Sequence, residues 1–159
     1  MCSSDLGRGI SHSEMPEAEG VTCGIQLWIT LAKKSKKIDP SYQSVDAEAL
    51  PTSGAEGVLI TTIAGAQSPV KLQNKATYLS MRMTQNANHE LNVAGNQGLV
   101  YVVSGELRCE DKTIEATQAL LFDDEQSVLS LLASSDCHCM VIYGVPHNEP
   151  IIQYGTFVD

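Results

Sequence analysis

Hydrophobic and polar positions alternate along most of this chain in short runs, which is the pattern of β-strands. Turn-forming Gly, Asn, Asp and Ser residues separate the runs, and no longer window shows a helical stripe; one helical turn over residues 45–50 is the most that the pattern allows. This rhythm predicts an all-β sandwich or barrel. The main apolar runs are residues 21–31, 58–63, 99–103, 119–122 and 139–143.

A change of pattern divides the first third of the chain. Residues 24–31, which contain the single tryptophan Trp28, predict a strong strand, whereas residues 33–52 are polar, contain two prolines and do not alternate. We interpret the polar stretch as an extended connector. From about residue 57 the chain is long enough to close a small β-barrel of its own, so residues 7–31 are expected to be strands of a preceding sheet.

Composition narrows the class of protein. The 159 residues are 43% hydrophobic and 18% charged, which is typical of a globular chain. No apolar run approaches the roughly 18 residues of a membrane span, and no signal pattern opens the chain, so we expect a soluble, cytoplasmic protein without a membrane partner. A net charge of −9 argues against direct nucleic-acid binding. The basic cluster at residues 33–37 is interpreted as a solvated linker, with targeting or anion binding as the alternative.

The strongest chemical signal is the pair His12 and Glu14, within the stretch GRGISHSEMP at residues 7–16. Residues two apart on a strand point to the same side, so the two side chains are expected to be close enough to share an ion. An imidazole nitrogen and a carboxylate oxygen are half of a mixed site that suits iron, manganese, nickel or copper. The alternative is that Glu14 only caps or solvates the end of a strand.

The cysteines do not predict a disulfide framework, because there are five of them and no secretory signal. On a strand, Cys137 and Cys139 face one way and His138 the other, and no second pair with zinc spacing exists. We interpret them as ordinary strand residues, with a redox-sensitive or adventitiously metal-binding thiol pair as the alternative. His147 is interpreted as a surface loop residue.

Two further positions have structural interpretations. His89 is followed two residues later by Leu91 rather than a second histidine, so no metal is expected there. Gly105, which follows a predicted strand, is expected to serve a tight turn rather than a phosphate site.

Several motifs together resemble the pirin family. They are GRGISHSEMP (7–16), GVTCGIQLWI (20–29), DPSYQ (39–43), LVYVVSGE (99–106) and NEPIIQYGTF (148–157). Pirins are bicupins, with two facing β-barrels of which the first holds Fe(II). The resemblance implies an all-β fold: a cupin (RmlC-like jelly-roll) barrel plus the terminal strands of a preceding, truncated cupin barrel.

The resemblance also implies an organisation for this chain. Residues 1–6 would be a non-native start, 7–32 the end of an N-terminal cupin domain, 33–56 the connector and 57–159 the C-terminal cupin domain. The chain would then be a C-terminal fragment. His12 and Glu14 would be two of the four iron ligands, and the other two, a His-x-His pair, would lie upstream. On this interpretation the chain alone binds Fe(II) weakly and has no turnover.

Two functions follow from the resemblance. The first is quercetin 2,3-dioxygenase activity on a flavonol-like substrate, with iron as cofactor and Glu14 acting as catalytic base as well as ligand. The second is a non-catalytic regulatory protein that binds a protein partner and uses iron as a redox switch. The acidic composition fits a protein partner better than DNA.

Overall fold

The computed structural model describes residues 2–5, 7–9, 24–150, 153–154 and 157–158. Within these ranges the regular structure is β, apart from two single 3₁₀ turns at Lys33–Ser35 and Ala47–Ala49. The strands are β1 (Cys2–Asp5), β2 (Ser41–Ser44), β3 (Thr52–Ala55), β4 (Val58–Ala64), β5 (Ala76–Met83), β6 (Asn88–Asn92), β7 (Gln97–Ser104), β8 (Glu106–Cys109), β9 (Lys112–Glu115), β10 (Ala119–Phe122), β11 (Val128–Ala133), β12 (Cys137–Gly144), β13 (Gln153–Tyr154) and β14 (Phe157–Val158).

Two antiparallel sheets carry most of the structure. The larger has six strands in the order β10-β7-β12-β5-β4-β3, and the smaller has four in the order β6-β11-β8-β9. Two-stranded sheets join β1 to β2 and β13 to β14. Neighbours such as β5, β7 and β12 are far apart in sequence, as crossed connections of a jelly-roll require. The all-β prediction is confirmed.

One hydrophobic cluster lies between the two sheets and draws on both of them. Met81, Val100 and Cys139 from the larger sheet and Leu107 and Leu131 from the smaller one are almost completely buried. Alternation explains this selection, because every second residue of a strand faces the same side. In β11, for example, Leu129, Leu131 and Ala133 are buried and the residues between them are exposed. The sheets therefore close around an interior filled with apolar side chains.

The predicted strand at residues 24–31 is wrong, because these residues form no strand. Trp28 is 63% exposed, and Ile25, Leu27 and Ile29 are exposed as well. An apolar run becomes a strand only where a neighbouring strand pairs with its backbone. This backbone instead accepts a hydrogen bond from a side chain: Asn74 Nδ2 donates to the Thr30 carbonyl oxygen at 2.7 Å.

Regular structure also begins before the predicted start of the barrel at residue 57. Strand β3 lies within the stretch predicted as a connector, yet it forms an edge of the six-stranded sheet through its pairing with β4. Strand β2, in the same stretch, pairs with β1, in the segment interpreted as a non-native start. The division of the chain into domains stays a prediction.

Gly105 has the backbone conformation that the sequence predicted, with φ = 80°. It forms the turn between β7 and β8, and a Cβ at this position would overlap the carbonyl oxygen of Asp136 and lie 2.8 Å from the Cα of Cys137. The glycine therefore permits both the turn and its close approach to the first residue of β12.

Two glycine substitutions separate these two effects. Gly95 also has a positive φ, of 71°, but no atom lies within 4 Å of the place where its Cβ would be. We expect Gly95→Ala to cost about 1–2 kcal/mol, the conformational penalty alone. Gly105→Ala should cost clearly more, because overlap with β12 is added. Urea unfolding of both variants measures the difference, and equal losses would contradict this account of the turn.

Candidate functional site

The predicted metal ligands His12 and Glu14 lie outside the described residues, so their assignment and their shared direction stay predictions. The described residues just before them contact the start of the DPSYQ motif at residues 39–43 and the residue that precedes it. Arg8 Nη2 lies 2.9 Å from Asp39 Oδ1, and the Arg8 amide donates to the Ile38 carbonyl at 3.0 Å. Both side chains of the ion pair are exposed, so it contributes at most about 1 kcal/mol. It orients residues 7–9 more than it stabilises the fold.

The interior between the two sheets is chemically unlike a metal site. His89 is half-buried on β6, two residues before the buried Leu91, and its cross-strand partner is Leu131. Across the part of the chain that the structure describes, no three His, Cys, Asp or Glu side chains are grouped so as to hold a metal ion. Apart from the thiols of Cys109, Cys137 and Cys139, the groups that line this space are apolar and offer no ligand to a cation.

Cys137 and Cys139 both face this interior, and His138 between them faces the opposite side of the sheet, as the sequence predicted. Both thiols are free. A hydrogen bond from the Cys139 thiol lowers the pKa of Cys137, although burial opposes the shift. The pKa of Cys139 is raised, by that same hydrogen bond first and by burial second. Cys137 is therefore the more acidic thiol of the pair.

The best-formed polar cluster lies on the outer face of the six-stranded sheet. His138 is directly opposite Arg82 of β5, and its Nε2 lies 2.9 Å from the Oγ of Ser80, two residues before Arg82. Burial lowers the pKa of His138, and the nearby positive charge of Arg82 lowers it further. Arg82 and His138 line an open cavity of about 530 Å³.

Sequence reasoning missed this cluster. The separation of 58 residues between Ser80 and His138 gives no local signal. The spacing of Ser80 and Arg82, two residues apart, was visible in the sequence. The register of β5 against β12, which brings His138 to them, was not. His147 lies in an exposed loop, as predicted, and its Nε2 is 3.1 Å from Asn74 Oδ1.

A second groove on the same outer face is apolar. Ile25 and Leu27 line this groove together with Leu99, Tyr101 and Ile142, and its volume is about 330 Å³. Leu121, the cross-strand partner of Leu99, is 75% exposed.

Known protein structures share the fold of the two sheets. A quercetin 2,3-dioxygenase from Acinetobacter baumannii superposes with a TM-score of 0.76 at 28% identity, over 82% of this chain and 48% of its own. A protein from Geobacillus kaustophilus, at 23% identity, shares the fold with a TM-score of 0.72. The described sheets are thus of the cupin class. The model of the pirin C-terminal cupin domain matches residues 78–159, and the chain belongs to the pirin family.

Curated relatives cover nearly the whole chain. The pirin of Rattus norvegicus is 30% identical over 96% of this chain and 56% of its own length. A Pseudomonas aeruginosa protein named "Putative quercetin 2,3-dioxygenase" is 35% identical over 94% of this chain and 58% of its own. The chain therefore spans somewhat more than half the length of these relatives. Among the described residues, no helix is long and apolar enough to cross a membrane.

The thiol pair gives a testable prediction about acidity. Cys139→Ala removes the hydrogen bond that stabilises the Cys137 thiolate, so the pKa of Cys137 should rise; Cys139→Ser keeps a donor and should preserve most of the effect. The measurement is the pH at which alkylation of Cys137, followed by peptide mass spectrometry, reaches half its maximal rate.

Cys109→Ala is the matched control, because it removes another buried thiol of the same core. It should leave the alkylation profile of Cys137 in place. If Cys139→Ala left that profile unchanged too, Cys139 would not be the donor that sets the acidity of Cys137.

Proposed function

We propose that this chain is part of an iron-dependent pirin with quercetin 2,3-dioxygenase-like activity, in which His12 and Glu14 are two of the metal ligands. The observation that carries the proposal is the GRGISHSEMP motif. Two relatives support it: the Pseudomonas aeruginosa protein at 35% identity and the Acinetobacter baumannii dioxygenase at 28%.

The chemistry of the two donors fits Fe(II). A neutral imidazole and a carboxylate form the mixed nitrogen and oxygen set of many non-haem iron sites. Two ligands do not fix a catalytic metal, so the proposal requires further ligands beyond this pair. Bound there, Fe(II) would supply open coordination positions for substrate oxygens and for dioxygen.

The side chains of this chain have separate roles in the proposal. His12 acts as a ligand only, since a coordinated imidazole nitrogen has no proton to exchange. The Glu14 carboxylate also accepts the proton of the flavonol hydroxyl, which generates the enolate form of the substrate. A carboxylate serves as this base only if its second oxygen remains free to take the proton. The flavonol-like substrate is part of the proposal.

A regulatory function is the second candidate, and the charge of the chain favours it. A net charge of −9 suits a basic protein surface better than nucleic acid. The exposed apolar side chains Trp28 and Leu121 are also typical of contact with another protein surface. In this alternative, iron at His12 and Glu14 acts as a redox-sensitive element and no substrate is turned over.

Iron retention tests the ligand assignment. The chain alone should lose Fe(II) on dialysis, whereas a fusion to the first barrel of a pirin should retain it. In that fusion His12→Ala should weaken iron binding by at least about tenfold, because a direct ligand is lost. His89→Ala is the matched control and should retain iron. Retention by the His12→Ala fusion at the unsubstituted level would contradict the assignment.

Oxygen uptake separates the two candidate functions. The iron-loaded fusion should consume O₂ when quercetin is added, and Glu14→Gln should abolish uptake because an amide cannot accept the proton. An oxygen electrode together with the loss of flavonol absorbance measures both. Full iron occupancy without oxygen uptake would contradict the dioxygenase proposal and favour the regulatory one.

A further inference from the structure

The cluster on the outer face of the six-stranded sheet is separate from His12 and Glu14 in sequence and in chemistry. Ser80 and Arg82 lie on one side of β5, and His138 of β12 is paired directly with Arg82. Ser80 Oγ and His138 Nε2 are 2.9 Å apart in a half-buried contact. Three hydrogen-bonding groups therefore point to one patch of a rigid, doubly paired part of the sheet.

Among the described residues, Arg82 forms no salt bridge. It is exposed, and the salt bridge found in this part of the chain joins Arg8 to Asp39 instead. Asp136 lines the same cavity, and its Oδ1 accepts a hydrogen bond from the Gln85 backbone N–H at 2.9 Å. The negative charge of Asp136 lowers the potential of the cavity, but the Arg82 guanidinium is not paired with it and keeps its N–H donors for a ligand.

The hydrogen bond between Ser80 and His138 can run in either direction, and His138 offers a free N–H when the Ser80 hydroxyl is the donor or when the ring is protonated. If the Ser80 hydroxyl donates to Nε2, the imidazole carries its proton on Nδ1. If Nε2 donates to Ser80, the hydroxyl proton is free. The Arg82 guanidinium adds a planar set of N–H donors that fits the two oxygens of a carboxylate or phosphate.

Arg82 and His138 line a space that is large enough for a small molecule. The cavity of about 530 Å³ is open to solvent, and its walls include Leu59, Thr84 and Ser104. Leu59 is 50% exposed and offers an apolar surface beside the cationic end. Volumes of this size are typical of small-ligand sites.

We propose that Arg82 and His138 form a binding site for an oxyanion, the carboxylate or phosphate group of a small molecule, with Ser80 positioning the His138 ring. The anion is held by two N–H groups of Arg82 and by an N–H of His138. Leu59 contacts the rest of the molecule. No bond is made or broken, so the site is a binding site and not a catalytic one.

Binding changes the titration of His138 in a defined direction. Without a ligand, burial and the charge of Arg82 hold its pKa below the ordinary value of 6.5. An anion at the site favours the protonated imidazole and so raises that pKa. The other charged group facing the cavity is Asp136, and Cys137 lines it from the neighbouring position on β12. The affinity for the anion should therefore increase as the pH falls through the pKa of His138.

Calorimetric titration with sodium phosphate and with sodium benzoate, on the full chain, tests the proposal. At least one anion should bind, and Arg82→Gln and His138→Gln should each weaken binding by about tenfold or more. Binding of phosphate alone or of benzoate alone identifies the source of the oxyanion. Arg108→Gln is the matched control: it removes the same charge from an exposed position on β8, in the other sheet, and should leave affinity within about twofold.

Nuclear magnetic resonance of the His138 ring gives the second readout. The bound anion should raise the pKa of His138 in the unsubstituted chain and in Arg108→Gln, but not in Arg82→Gln. Absence of binding by both anions overturns the proposal. Equal loss of affinity in Arg82→Gln and Arg108→Gln also overturns it, because binding would then depend on net charge alone. Circular dichroism of each variant confirms that the sheet is intact.

Discussion

The double pairing of β12 is the constraint on which the rest of the structure depends. This eight-residue strand pairs with β5 on one side and β7 on the other, at the centre of the six-stranded sheet. Alternation along the strand then places Cys137, Cys139 and Val141 in the core, although the pairing with β7 shifts between His138 and Cys139. A slip of one residue would exchange the two faces and bury His138. Register therefore fixes both the packing and the polar chemistry of the sheet.

The two faces of the six-stranded sheet consequently differ in chemistry. The inner face meets the smaller sheet around Met81 and Leu107, and burial of these apolar groups stabilises the fold. Polar donors in that space would remain unsatisfied, so any ligand chemistry is better placed elsewhere. The proposed iron ligands precede both sheets in sequence, and the proposed oxyanion site uses the outer face. Both proposed sites therefore lie outside the apolar core between the two sheets.

Sequence predicted what depends on local pattern. The strand rhythm, the position of both thiols on the face opposite to His138 and the positive φ of Gly105 all follow from neighbouring residues, and all are present. The pirin resemblance is confirmed by the family match. What sequence did not predict depends on partners distant in the chain. Residues 24–31 had the composition of a strand but pair with no strand among the described residues. Ser80 meets His138 only through the register of β5 with β12.

We propose that metal chemistry in this pirin belongs to His12 and Glu14 and not to the interior of the described sheets. Anomalous X-ray diffraction at the iron edge, on crystals of the Fe(II)-loaded fusion with a first pirin barrel, tests this most directly. The account predicts an iron peak within coordination distance of the His12 imidazole and the Glu14 carboxylate, about 2.0–2.2 Å by analogy with other divalent metal sites. An iron peak between the two sheets, beside His89 or the Cys137 and Cys139 thiols, would contradict it.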